Sequence, residues 1–167
     1  MPGTYEPIGT STLSTAANSI TFSSIPATYT DLVLIAVAIA PASVSRYGVL
    51  QFNGDTTNNY SFNSINGTGT TAAVNLDYDY TSIELQYDQT TNAAPTFQQW
   101  NIFSYAGSTY KTVLGKSAND KNGTGTISVG AGLWRSTAAI TSVTWKADGS
   151  GNYAAGTIAT LYGIKAA

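Results

Sequence analysis

The chain contains no histidine and no cysteine, and its 167 residues carry only seven basic and nine acidic side chains. Without histidine there is no side chain whose ordinary pKa suits proton transfer near neutrality. Without cysteine there is no thiolate nucleophile, no soft metal ligand and no disulfide. Charge is scarce: 10% of residues against about 25% in an ordinary soluble domain. The cations Arg46, Lys111, Lys116, Lys121, Arg135, Lys146 and Lys165 are scattered singly and the net charge is −2. Phosphate backbones are bound by clustered cations, so nucleic acid is not an expected partner. The longest apolar run, Leu32 to Ala40, is nine residues, against about 20 for a membrane helix, so no membrane partner is expected. Met1 to Glu6 has neither a basic nor an apolar segment, so no cleaved secretion signal is expected.

What is abundant is hydroxyl. Serine and threonine fill 42 positions, which keeps an uncharged surface wet and suits strands and turns. Period-two alternation recurs along the chain, as in Ile20–Phe22, Tyr60–Ile65, Val74–Tyr78 and Ile83–Tyr87. The last two read as half-buried antiparallel strands, with one face apolar and one polar. Leu32–Ile39 is apolar on both faces; its β-branched content and the bounding Pro26 and Pro41 favour a central strand over a helix. Asn53-Gly54 tolerates the positive φ of a tight hairpin turn, and Trp100–Tyr105 with Lys111–Gly115 reads as a hairpin. The closing strand, Ile158–Ile164, sets Ile158, Tyr162 and Ile164 on one face against Ala159 and Leu161 on the other. Many short strands punctuated by turns predict an all-β fold, an antiparallel β-sandwich of jelly-roll type. Residues 1–18 are expected as a short extended N-terminal arm or first edge strand, and residues 19–167 as one β-sandwich domain.

Candidate chemistry is thin. Asp77 and Asp79, two apart, are expected to share a face, where paired carboxylates bind calcium or move protons. No glycine-rich ligand loop accompanies them, and two solvated acids beside Tyr78 and Tyr80 is the favoured reading. Asp31, Asp55, Asp88, Asp120 and Asp148 fall at strand ends and turns, where carboxylates accept backbone hydrogen bonds. No catalytic residue, metal or cofactor is therefore expected, and the chain reads as a non-enzyme. Among the aromatics, Phe22, Phe52, Phe62, Phe103, Trp100 and Trp145 are assigned to the core. Tyr47, Tyr60, Tyr78, Tyr80, Tyr87 and Trp134 adjoin loops or polar positions and are the candidate interaction surface.

Ile20-Thr21-Phe22-Ser23-Ser24-Ile25-Pro26-Ala27-Thr28-Tyr29-Thr30-Asp31-Leu32, the stretch from Gln51-Phe52-Asn53-Gly54-Asp55 to Tyr60-Ser61, and Ala155-Gly156-Thr157-Ile158-Ala159-Thr160-Leu161-Tyr162-Gly163 resemble small virion structural proteins of tailed bacteriophages. The resemblance implies a capsid decoration (cement) protein that binds the major capsid protein or other virion proteins, located in the virion. Capsid threefold positions then favour a homotrimer, with the N-terminal arm as a clamp. The alternative it implies is a tail-fibre module that binds a receptor or carbohydrate.

Overall fold

The computed structural model describes residues 4–40, 47–85, 95–120 and 125–165. The described residues form twelve strands: β1 (Tyr5–Thr12), β2 (Ser19–Phe22), β3 (Asp31–Ala38), β4 (Gly48–Phe52), β5 (Tyr60–Gly67), β6 (Ala72–Tyr80), β7 (Ile83–Glu84), β8 (Thr96–Phe103), β9 (Lys111–Asn119), β10 (Thr126–Trp134), β11 (Val143–Ala147) and β12 (Ile158–Ile164). Eight form one sheet in the order β1-β12-β3-β8-β9-β10-β5-β6; four form a second in the order β2-β11-β4-β7. Every strand pairing among the described residues is antiparallel, and the two sheets pack into an all-β sandwich. The segment expected as an arm or edge strand carries β1, which pairs with β12 from Tyr5↔Ile164 to Thr12↔Ile158.

The core follows strand parity. Leu32, Leu34, Trp100, Ile102 and Leu161 point inward from the large sheet and meet Leu50, Phe52, Val143 and Trp145 from the small one, all fully buried. β3 is central, as its apolar run predicts, with Val33 buried on the outer side and Ile35 and Val37 half-buried there. One buried amide ties the sheets together. Gln98 Oε1 accepts from the indole N–H of Trp145 at 2.7 Å and from that of Trp100 at 3.2 Å. Gly48 makes room for it: a Cβ there would lie 2.2 Å from the Gln98 amide.

Asn53 and Gly54 both take positive φ, 53° and 68°, and Asp55 N–H donates to Phe52 C=O at 2.9 Å. That is the backbone of a tight turn, yet it joins no hairpin. β4 belongs to the small sheet and β5 to the large one, so the turn carries the chain across the sandwich. The predicted β8–β9 hairpin does form, in register from Thr96↔Asn119 to Phe103↔Thr112. Phe103 departs from the expected core. Ile102 takes the inward position, so the next residue projects outward, and Phe103 is 41% exposed.

Candidate functional site

The pairs β5–β6 and β9–β10 widen the large sheet well past the small one. β7 of the small sheet covers the near part of their inner side. Gly132 and Gly130 permit that approach, because a Cβ at Gly132 would sit 2.3 Å from Ile83 Cγ2 and one at Gly130 would sit 3.0 Å from Leu85. Farther along, the inner side turns polar: Ser64, Asn66, Ser117, Thr126 and Ser128 are buried there. Asn75 donates to Asn66 at 2.8 Å, and Thr126 Oγ1 donates to Asn119 at 3.0 Å. The hydroxyls of Ser64, Thr96 and Ser128 are buried without a hydrogen-bond partner among the described residues.

The apolar residues of these strands therefore face the other way. The register pairs Ile65 with Val74 and with Val129, places Leu76 and Tyr78 farther along β6 in one direction, and sets Ile127 on β10 in the other, in the row of Gly67 and Ala72. All are exposed: Ile65 63%, Val74 67%, Leu76 54%, Tyr78 67%, Ile127 62% and Val129 52%. Leu114, Phe97 and Phe103 continue the face across β9 and β8. Over β8, β9, β10, β5 and β6 the outward positions carry two charges, Lys116 and, at the end of β6 beyond the register slip, Asp79, which is paired with Arg135. A hollow of about 340 Å³ beside Tyr78, Leu76 and Leu133 indents this face. The alternation of Val74–Tyr78 was legible, but its apolar side is the exposed one.

The six candidate surface residues divide. Tyr78 stands on the outer face. Tyr80 lies on the opposite face, because the β5–β6 register slips by one residue between Tyr60/Tyr80 and Phe62/Asp77. There its ring meets Phe62 edge-on at 5.6 Å. The same slip separates Asp77 from Asp79, which takes φ 57° and pairs with Arg135 at 2.6 Å, so the two acids do not share a face. Tyr47 is half-buried and its backbone N–H donates to Asp148 at 3.0 Å. Tyr87 and Asp88 lie outside the described residues.

Tyr60 and Trp134 are corrected: they are core residues, 0% and 2% exposed. They face each other across β5 and β10 and stack at 6.3 Å, with Phe52 5.6 Å from the indole. Their polar tips are satisfied internally, which is why loop-adjacent aromatics bury here. Tyr60 OH donates to Asp55 C=O at 3.1 Å and accepts from Phe52 N–H at 3.0 Å. Trp134 Nε1–H donates to Asp55 Oδ2 at 2.8 Å. Burial pushes the Asp55 carboxyl up, but hydrogen bonds from the Thr57 hydroxyl, Trp134, Asn59 and the Thr57 backbone outweigh it. The result is a carboxyl held well below the usual range.

A second, polar hollow of about 290 Å³ lies where β4, β7 and β11 meet the end of β6, lined by Gln51, Tyr80, Glu84, Lys146 and Asp148. Glu84 corrects the reading of Ile83–Tyr87 as a half-buried strand with a polar face: β7 covers only Ile83–Glu84, and Glu84 is only 5% exposed. Burial, followed by the carboxylates of Asp148 and Asp77, pushes its carboxyl up to about 7, and no hydrogen bond offsets the shift. Among the described residues, no three carboxylates converge in a way that could hold a metal ion.

Comparison with protein-family models, with curated proteins and with solved structures finds no match to this chain. What the chain does must therefore be argued from its own surface.

Proposed function

We propose that the chain is a non-enzymatic structural protein of a tailed-phage virion, a capsid decoration (cement) protein that binds and stabilises the lattice of the major capsid protein. One observation carries this reading: the outer face of the large sheet is apolar and almost uncharged, while the buried side of the same strands is polar. A chain that worked as a solitary monomer gains nothing from that inversion, whereas a subunit completed by its neighbours requires it. The absence of histidine and cysteine fits a task of adhesion, as does a surface kept wet by hydroxyls.

The strand order supports the jelly-roll reading. With the hairpins β5–β6 and β9–β10 set aside, β1-β12-β3-β8 faces β2-β11-β4-β7, the arrangement of two interlocked Greek keys found in viral capsid and lectin domains. The two hairpins then enlarge one sheet of that framework and carry the bare face. The alternative, a receptor- or carbohydrate-binding tail-fibre module, draws on the polar hollow beside Glu84 and Asp148, where Tyr80 and Gln51 offer a ring and an amide to a sugar.

The test adds purified protein to phage heads stripped of it. Co-sedimentation with the heads and a higher head-melting temperature support cementing. Heads that melt unchanged and recover no protein overturn it, and saturable binding on a glycan array instead moves the tail-fibre module into its place.

A further inference from the structure

The bare face also indicates what covers it. We infer that Ile65, Val74, Leu76, Tyr78, Ile127 and Val129 pack against a second copy of this chain, so that the protein is a homo-oligomer through the outer face of its sheet extension before it meets any other partner. The inference rests on the proposed structural role and names the first partner of that same surface.

Area is the first argument. At their exposures, and with side-chain areas of roughly 150–250 Å², the six residues present roughly 700 Å², close to one partner's share of a standard interface. That exceeds the few hundred Å² that a monomer usually leaves bare.

Charge is the second. A heterologous partner found by diffusion is usually steered by complementary charge. This face offers Lys116 and, at its margin, an Asp79 already paired with Arg135, so it has little with which to steer. The same lack of charge removes like-charge repulsion between identical faces. An isologous contact needs no complement beyond itself, and two sheets of this kind pack with interdigitating side chains about 10 Å apart.

The third argument comes from the sheet's edge. β6 is the outermost strand and nine residues long, the kind of edge that invites strand addition. It is blunted. Asp77 turns its charge inward opposite Phe62, and the register slip leaves Asp79 in positive φ, tied to Arg135. Inward charge and bulges are how β-proteins discourage edge pairing. The edge is guarded and the adjoining face is not, so association runs through the face.

Sedimentation equilibrium on the isolated full chain at about 100 μM, above the μM-to-pM range of Kd found for interfaces of this size, tests the inference. The expected mass is that of a dimer, twice 17.4 kDa, because an isologous contact closes with two copies. The variant I65D/V129D should return to the monomer mass with an unchanged circular dichroism spectrum. A triple variant, I65T/V74T/V129T, guards against misfolding, because threonine is β-branched and keeps strand propensity; it should raise the dissociation constant at least tenfold. A monomeric wild type, or folded variants of either kind that retain the wild-type association, overturns the inference. A monomer that still binds phage heads would end this inference and leave the proposed function standing, whereas an oligomer that binds no heads would do the reverse.

Discussion

Glu84 should make this protein less stable as pH rises through neutrality, against the usual behaviour of carboxylates. Its side chain is almost fully buried and its carboxyl titrates near 7 in the folded chain, against an ordinary value of 4.5. Below about 4.5 it is protonated folded or unfolded and imposes no penalty. As pH climbs the unfolded chain ionises first, so folded stability falls until the folded group ionises too, near 7. At about 1.4 kcal/mol for each pH unit, the loss between pH 5 and pH 8 is about 2–3 kcal/mol. For a domain of this size that lowers Tm by roughly 5–10 °C. The chain has no histidine to confuse this window. Urea unfolding at pH 5, 6, 7 and 8 should trace the decline in the wild type, and Glu84→Gln, which cannot ionise, should flatten it. A wild type equally stable at pH 5 and pH 8, or a Glu84→Gln variant that keeps the slope, would refute the reasoning.

Two further outcomes follow from buried hydrogen bonds. Gln98→Leu removes the acceptor of two buried indoles, from Trp145 and Trp100; it should cost about 2–5 kcal/mol in urea unfolding, since each stranded donor forfeits about 1–3 kcal/mol. Asp55→Ala releases the Trp134 indole and the Thr57 and Asn59 donors, and should cost about 2–4 kcal/mol at pH 7. Because the folded Asp55 carboxyl sits below its ordinary range, its contribution is full above pH 3.8 and fades as pH falls toward the lower folded value, so wild type and variant should converge in acid.

Alternation made the strands legible, and turn residues marked their ends. The β8–β9 hairpin, the central place of β3 and the two-faced β12 all follow from patterns visible in the chain. What alternation cannot supply is sidedness. Val74-Asn75-Leu76-Asp77-Tyr78 reads the same whether its apolar side meets a core or a neighbour, and only the span of the small sheet decides. A partial signal was present in Thr126-Ile127-Ser128-Val129-Gly130-Ala131-Gly132, where one face holds only small or polar residues that could never fill a core. Parity also fails where register slips, which is why Tyr78 and Tyr80, two apart, end on opposite faces. Tyr60 and Trp134 looked superficial because they adjoin loops; the carboxylate that satisfies the Trp134 indole, Asp55, lies 79 residues earlier in the chain, a distance no local reading spans. Alternation put Glu84 on a polar face; its burial depends on how β4 and β7 pair.

The outer face should be covered in the assembled protein. A chain without cysteine permits a direct answer, because any introduced thiol is the sole one present. The thiol of a Val129→Cys variant should react with maleimide at least about tenfold more slowly than that of Ser150→Cys, an exposed turn position, at micromolar concentration, and should speed up on dilution as copies separate. Equal reactivity of the two thiols at every concentration would mean that the face is open to water, and would contradict the account.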